Sequence, residues 1–306
     1  MKMVRIFTSE DAKTAIKNNP SGNIIIPEGV TEIGPGAFES CHSLESIVIP
    51  EGVTEIGMSA FAHCRSLRTA AIPESVVKID DYAFYDCETL KSIVIPEGVT
   101  DIGHHAFGAC SSLTGIIIPD GVTKLNTSVF NRCYALKSIV LPEGVTEIGA
   151  GAFEDCESLK YINIPEGVTK IWDYAFKGCK SLKSIAIPGG DESNYKYGSR
   201  SGIQEIGKRI FDQCYGLETV TIHCGSGCWL TPDMFGRNRS NLRSVRITHY
   251  SFEDAYSIEN KDEEYIIRIP KSKLVDGSCT PHVSEVCNLF TDMCINLGMY
   301  MNKREE

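Results

Sequence analysis

Hydrophobic and polar positions follow a pattern that repeats every 23 residues along most of this chain. The clearest copy runs from Ile47 to Thr69 and reads IVIPEGVTEIGMSAFAHCRSLRT. Seven such copies follow one another without a gap. A constant period of this length is typical of small units that cannot bury their apolar side chains alone and therefore stack. The pattern predicts an elongated repeat array.

Each copy contains a short predicted strand of the form Leu-x-x-Ile-x-Ile. The alternation places Ile47 and Ile49 on the inside of the strand and Val48 on the outside. Pro50 has no N–H to donate to a neighbouring strand, so the strand should end there. A turn then leads to a second apolar pair, and Phe61 is expected to fill the interior behind that pair.

Stacking of equivalent units about 4.8 Å apart would align these side chains into continuous interior ladders. We therefore predict an α/β-type repeat solenoid, a right-handed coil with a parallel concave sheet. The predicted organisation is an N-terminal cap at 1–23, seven regular repeats at 24–188, an insertion at 189–202, irregular repeats at 203–247 and a C-terminal cap at 248–306.

Both ends of such an array need a cover, because a bare terminal unit would expose its apolar core and strand edge. At the N-terminus, Met3–Phe7 is predicted as a strand, and Thr8 with Asp11 as the start of a helix. At the other end, an apolar stripe predicts a capping helix at 280–301, with a partner-binding amphipathic helix as the alternative. Val245–Ile247 and Ile267–Ile269 resemble further strands of the repeat type.

Cysteine is abundant, with 13 residues, but most of these residues occupy one position of the repeat. An identical position in every copy predicts a packing role, in which a small buried thiol donates to a nearby backbone carbonyl, rather than a redox or metal centre. The members of this ladder are Cys41, Cys64, Cys87, Cys110, Cys133, Cys156, Cys179 and Cys214.

Five cysteines fall outside the ladder. His223, Cys224 and Cys228 have a loosely zinc-like spacing, but no second ligand pair follows at a usual interval. A local disulfide would require an oxidising compartment. The redox state of this group, which also includes Cys279, Cys287 and Cys294, is left open by the sequence.

The repeated phrase resembles the BspA-like class of leucine-rich repeat, whose unit reads approximately IxIPxxVTxIGxxAFxxCxxLxx. The resemblance extends from about Ile24 to Ile247. It implies a leucine-rich-repeat solenoid and an association with cell-surface adhesion and protein binding. Met1–Lys17 contains no apolar run long enough for a signal peptide, so the chain as it stands is expected to be cytoplasmic, whereas the resemblance implies a cell-surface or secreted location.

The net charge and the lack of catalytic motifs in the sequence disfavour several classes of function. The net charge of −10 disfavours nucleic acid and acidic membranes as partners. The seven histidines are scattered, and no phosphate-binding, zinc-protease, dinucleotide or nucleophile-elbow motif is present. We therefore expect no enzymatic activity, no cofactor and no metal.

The outward positions of the first strands define the predicted binding face. Their central row is aliphatic or small at its start and turns polar at Asn163. A contiguous exposed apolar strip of this kind usually marks an interaction surface, although a solvated surface remains the alternative. The row consists of Ile25, Val48, Ala71, Val94, Ile117, Val140, Asn163, Ala186, Thr221 and Arg246.

Charged residues flank this row on both sides. The basic side carries Arg68, Lys91, Lys137, Lys160 and Lys183. The acidic side carries Glu28, Glu51, Glu74, Glu97, Asp120, Glu143 and Glu166.

Positions that break the repeat are the better candidates for setting the register of a partner, because a uniform surface provides no register. The candidate partner-binding residues combine members of the aliphatic row with such positions. They are Val48, Val94, Ile117, Val140, Tyr161, Asn163, Trp172, Tyr174, Tyr195 and Tyr197.

These features predict a non-catalytic scaffold that binds a protein partner through the concave surface. The first alternative is a structural or surface-array protein that self-associates through the same face, with a different partner but the same residues. The weakest alternative is an enzyme or metal-binding protein, which rests only on the irregular segment around Cys224 and Cys228 and on the predicted terminal helix.

Overall fold

A computed structural model describes residues 4–188, 202–229, 232–236, 244–249, 256–261, 264–268, 274–275 and 278–279. The predicted insertion, Tyr195, Tyr197 and the predicted helix at 280–301 lie outside the described residues.

The N-terminus covers the first coil with a short strand and a helix. Strand β1 (Ile6–Phe7) is followed by helix α1 (Ser9–Asn18). The predicted helix start is confirmed, because the Thr8 side chain accepts from the backbone N–H of Asp11 while the Asp11 carboxylate accepts from the backbone N–H of Thr8 at 2.8 Å. The helix buries Ala12 against the first coil.

Although residues 92–95 form no strand and Ile117 forms only an isolated bridge, short parallel strands recur along the coil. They are β2 (Asn23–Ile25), β3 (Glu32–Ile33), β4 (Ser46–Val48), β5 (Glu55–Ile56), β6 (Thr69–Ala71), β7 (Lys78–Ile79), β8 (Asp101–Ile102), β9 (Lys124–Leu125), β10 (Ser138–Ile139), β11 (Glu147–Ile148), β12 (Tyr161–Ile162), β13 (Lys170–Ile171), β14 (Ser184–Ile187) and β15 (Ile203–Ile206).

The strands form two separate ladders on two sides of the solenoid. The first ladder contains the strand that precedes each proline, and the second contains the strand that follows it. The second ladder is the more continuous, with β1-β3-β5-β7-β8 in one sheet and β9-β11-β13-β15 in another.

The first ladder departs from the continuous sheet that the sequence predicts. It consists of β2-β4-β6, an isolated bridge between Ile117 and Val140, the pair β10-β12, and β14 with the strand that follows it in the next coil. A proline follows each of these strands as far as β14 and removes one backbone donor per coil. Only two or three residues remain to pair in the coils before β14, so a small displacement between coils is enough to interrupt the ladder.

The third side of each coil is a turn in which two residues adopt a left-handed backbone. In one coil these residues are Ser59, with φ of 54°, and His63, with φ of 60°. A left-handed conformation costs a non-glycine residue about 1 kcal/mol. Hydrogen bonds between coils offset this cost, since the N–H groups of Ser59 and Phe61 donate to the next coil at 2.9 and 2.8 Å.

The interior confirms the predicted ladders of apolar side chains. One phenylalanine per coil is fully buried, and successive rings stack with centroids 5.1 to 6.1 Å apart from Phe7 to Phe235. The Leu, Ile and Val positions of the pattern are buried around this column. Since each unit contacts mainly its neighbours, the core runs along the solenoid instead of filling a single centre.

Strand pairing changes from parallel to antiparallel toward the C-terminal end of the described array. Strands β16 (Thr219–Trp229) and β17 (Ser244–His249) pair in parallel, and β17 contains the predicted strand at Val245–Ile247. Strands β18 (Tyr256–Lys261) and β19 (Glu264–Arg268) pair antiparallel instead. The prediction of another repeat-type strand near Ile267 was therefore wrong in direction, because the short connection between β18 and β19 can join only antiparallel strands. A final antiparallel pair joins β20 (Leu274–Val275) and β21 (Ser278–Cys279).

Candidate protein-binding face

The outward side chains of the first ladder form an exposed aliphatic strip. We define this strip as Ile25, Val48, Ala71, Val94, Ile117 and Val140. Val94, Ile117 and Val140 are 78, 72 and 70% exposed, while Val48 is 44% exposed. The alternation has a local cause, because each outward residue lies between two apolar residues that point toward the core, which are isoleucine or leucine except at Ala70. Apolar side chains on neighbouring coils therefore face solvent together.

A basic rim runs along the start of these strands. We define it as Arg68, Lys91, Lys137 and Lys160, all of which are exposed. Among the described residues, none of these four side chains forms an ion pair. Lys183 continues the column, but its ammonium group lies 3.3 Å from the Glu218 carboxylate in the next coil.

An acidic rim follows the prolines at the other end of the same strands. All its members are exposed, and none has an ion-pair partner among the residues that the structure describes. Like charges stacked at the spacing of strands repel one another unless water or a partner screens them. The rim consists of Glu28, Glu51, Glu74, Glu97, Asp120, Glu143 and Glu166.

Charges elsewhere on the solenoid are arranged differently. The Lys78 ammonium group lies 2.8 Å from the Glu55 carboxylate in the preceding coil, and the Lys177 ammonium lies 2.8 Å from the Glu154 carboxylate. The bond to Glu154 is the largest cause of the raised pKa of Lys177. Opposite charges therefore stack on these faces, whereas like charges stack on the two rims beside the strip.

The repeat-breaking residues lie in different places. Tyr161 is 66% exposed in β12, and Asn163 is exposed on the same side of that coil. Trp172 directly follows β13 of the second ladder, where the Lys170 ammonium lies 5.6 Å from the centre of its ring. Tyr161 and Asn163 therefore lie on the same face as the strip, in the coil after Val140, whereas Trp172 lies beside the second ladder.

Tyr174 belongs to the turn side of the coil and not to the strip. It has φ of 61° and is half-buried. The Lys177 ammonium lies 5.5 Å from the centre of the Tyr174 ring. A cation this close to an aromatic face stabilises local packing.

A cluster of aromatic and imidazole rings on the turn side was missed by the sequence reasoning. The rings of Tyr82 and His105 stack with centroids 4.8 Å apart, and Tyr85 meets both edge-on. His63 Nδ1 lies 2.8 Å from the Asp86 carboxylate. The signal was available, because Tyr82 and His105, like His63 and Asp86, are separated by one period of 23 residues.

The buried thiols have the packing role that the sequence predicts. Cys87 donates to the backbone carbonyl of Phe61 at 3.2 Å, and the same bond recurs through the array. Burial raises the pKa of Cys64, Cys110 and Cys214 to about 12, which opposes formation of a nucleophilic thiolate. No group of three potential metal ligands occurs within the described ranges, and the side chains around Cys224 lie outside them.

The coil of parallel strands and stacked phenylalanines defines a leucine-rich-repeat solenoid. The profile of one family, described as BspA type leucine rich repeat region, matches residues 12–137 and 127–259 in six copies. This chain belongs to that family. No helix in the described part of the chain is long and apolar enough to cross a membrane.

One solved structure supports the same assignment of fold. A leucine rich repeat protein of T. pallidum is 33% identical, with a TM-score of 0.50, over 52% of this chain and 77% of that one. A leucine rich cell surface protein of Faecalibacterium prausnitzii is 31% identical, with a TM-score of 0.48, over 73% of this chain and 64% of that one. The chain therefore spans just under two thirds of the Faecalibacterium protein. A comparison with curated proteins gives no match.

Proposed function

We propose that this chain is a non-catalytic scaffold that binds a protein partner through the aliphatic strip. The observation that carries the proposal is the coincidence of an exposed apolar strip with two rims of like charge that have no ion pairs among the described residues. Members of this repeat family are generally surface or adhesion proteins, which supports the same class of function.

The strip and its rims would contribute differently to binding. Burial of apolar surface contributes about 25 cal/mol for each Å² removed from water, so the strip supplies affinity. The rims would orient the partner and accelerate its approach, because charge complementarity acts mainly on specificity and association rate. Tyr161 and Asn163 end the aliphatic row and give the partner a register that a uniform surface lacks.

The proposal is tested by capture of proteins from the source cells and from their medium. The test variant carries Val94→Glu, Ile117→Glu and Val140→Glu, and we expect it to lose the captured partner without unfolding, since all three side chains face solvent.

A matched control places the same charges on apolar residues outside the strip. It carries Met58→Glu, Val77→Glu and Tyr134→Glu, whose side chains are 48, 49 and 42% exposed. We expect the control to capture the partner as the unmodified chain does. Equal capture by the strip variant would show that the strip is not the binding surface.

A further inference from the structure

We infer that the partner of the aliphatic strip is a second copy of this chain, bound face to face in a two-fold dimer whose solenoid axes run parallel. This inference rests on the proposed function, because it names the occupant of the same surface. It depends on the spacing of the coils and on the polarity of charge across each strand.

The regular spacing of the apolar side chains along the strip favours a second copy of this chain as the partner. Apolar side chains recur once per coil, and the phenylalanine rings of successive coils stack with centroids 5.1 to 6.1 Å apart inside the solenoid. An unrelated partner would have to reproduce this period over several coils to contact every member of the strip. A second copy has the same period, so all contacts form once one of them is in register.

Opposite charges lie at the two ends of the first strand in four of the coils. In four coils a base precedes the strand and an acid follows it, and all eight side chains are exposed. The pairs are Arg68 with Glu74, Lys91 with Glu97, Lys137 with Glu143, and Lys160 with Glu166. Each of these four strands therefore has a basic end and an acidic end, and the intervening side chains are apolar or uncharged. The coil of Val48 is an exception, because Glu45 precedes its strand and Glu51 follows it.

This polarity selects one of the two symmetric ways to join the faces. A two-fold axis parallel to the solenoid axis reverses the strand direction of the partner and keeps the order of the coils. The basic rim of one copy then faces the acidic rim of the other, so that Lys91 of one copy lies opposite Glu97 of the second copy. A two-fold axis parallel to the strands reverses the order of the coils instead, and it sets base against base and acid against acid.

The size of the face sets the expected strength. Coils about 4.8 Å apart, from Ile25 to Ala186, with about five residues of strand each, give roughly 500 Å² per copy, or about 1,000 Å² in total. This area lies at the lower end for specific association. The net charge of −10 on each copy adds a general repulsion. We therefore expect a reversible dimer with a dissociation constant in the micromolar range.

The first test is sedimentation velocity over a concentration series from about 1 to about 200 µM, which spans the expected dissociation constant. The intact chain should pass from monomer to dimer. The strip variant V94E/I117E/V140E should raise the dissociation constant at least tenfold, and the control M58E/V77E/Y134E should leave it unchanged. A chain that stays monomeric throughout would overturn the dimer.

The two rims are then exchanged separately and together. A basic-rim variant carries Arg68→Glu, Lys91→Glu, Lys137→Glu and Lys160→Glu. An acidic-rim variant carries Glu74→Lys, Glu97→Lys, Glu143→Lys and Glu166→Lys. Each variant should be monomeric alone, their mixture should form a heterodimer, and the chain with both changes, whose net charge is the original one, should dimerise like the unmodified chain. Dimerisation of either single-rim variant at the original affinity would overturn the charge pairing.

Orientation is tested by cross-linking of exposed positions at the two ends of the face, Ile25→Cys and Ala186→Cys, with a short bis-maleimide. In the parallel dimer each variant should cross-link to a copy of itself more than the unmodified chain does. Cross-linking only in a mixture of the two variants would show the reversed arrangement and overturn the inference.

The two proposals fail in different ways. A monomeric chain whose strip variant still loses a captured partner would remove the dimer and leave the protein-binding face. A dimer that survives the strip variant, together with unchanged capture, would remove both.

Discussion

The thiol of Cys64 donates a hydrogen bond to the backbone carbonyl oxygen of Phe38 in the preceding coil, at 3.0 Å. The same bond joins Cys110 to Phe84 at 3.1 Å. Each of these bonds links the column of thiols to the column of stacked rings. A side chain of one coil thereby satisfies a buried backbone acceptor of the coil before it, which ties neighbouring units together.

We expect Cys133→Ala to lower the free energy of unfolding by about 1 to 3 kcal/mol, because it removes the buried thiol and leaves the carbonyl of Phe107 with only its longer bond from the backbone N–H of Cys110 at 3.3 Å. Urea unfolding followed by circular dichroism measures the change. Cys41→Ala is the control, since Cys41 is only half-buried and lacks a phenylalanine carbonyl partner among the described contacts. Its loss should be about 0.5 kcal/mol or less. Equal losses would contradict the bonding role.

Alkylation with iodoacetamide at pH 8 should distinguish the thiols of the ladder. Burial raises the pKa of Cys64 and Cys110 to about 12, so only on the order of one thiol in 10⁴ is ionised at that pH. We expect both to react at least about a hundredfold more slowly than the half-buried Cys41. Peptide mass mapping over time measures each rate, and a sample in urea supplies the unprotected rates. Similar native rates would refute the protection.

Substitution of one ring in the interior column should be far more costly than substitution in the strip. Phe107→Ala is expected to lower the free energy of unfolding by about 3 to 5 kcal/mol, because Phe107 is fully buried and stacks on Phe84 and Phe130. Ile117→Ala should change it by about 0.5 kcal/mol or less, since that side chain is mostly exposed. Chemical denaturation compares the two. A large loss at Ile117 would mean that the strip contributes to the core.

The turn-side cluster should make stability depend on pH. Burial is the main cause of the lowered pKa of His105, with a further contribution from His104, while Asp81 acts in the opposite direction. His105 Nδ1 is buried and has no hydrogen-bond partner in the described part of the chain. The folded state therefore takes up this proton less readily than the unfolded state, and stability is lost as the pH falls below about 6.5.

His105→Asn removes the titrating group and keeps a residue that tolerates the φ of 55° at this position. Free energies of unfolding at several pH values from 7.5 to about 5 should fall less steeply for this variant than for the unmodified chain. The slope is the readout, because the absolute stability also changes when the ring is lost. Parallel slopes would show that His105 contributes nothing to the pH dependence.

The 23-residue period determined much of the contact map. It places Phe61 over Phe84 and repeats the thiol bond from Cys64 to Cys214, and both follow from the sequence because a solenoid unit contacts mainly its neighbours. The same step also pairs Lys78 with Glu55 and Tyr82 with His105, although those contacts were not predicted. Any two residues one period apart at a given position become neighbours once the coils stack.

Only the tertiary structure decided how the backbone closes each coil. The left-handed residues Ser59 and His63 are not glycines, although Gly36 and Gly178 occupy the same two repeat positions in other coils. Hydrogen bonds to the next coil offset the cost of the left-handed backbone at Ser59 and His63. The structure likewise interrupts the first ladder, separates Trp172 from the side of Tyr161, and ends the array with antiparallel strands. These features depend on small displacements between coils and on connections of particular length, which a period alone does not specify. Periodicity fixes which residues become neighbours, while backbone hydrogen bonding fixes the side on which they meet.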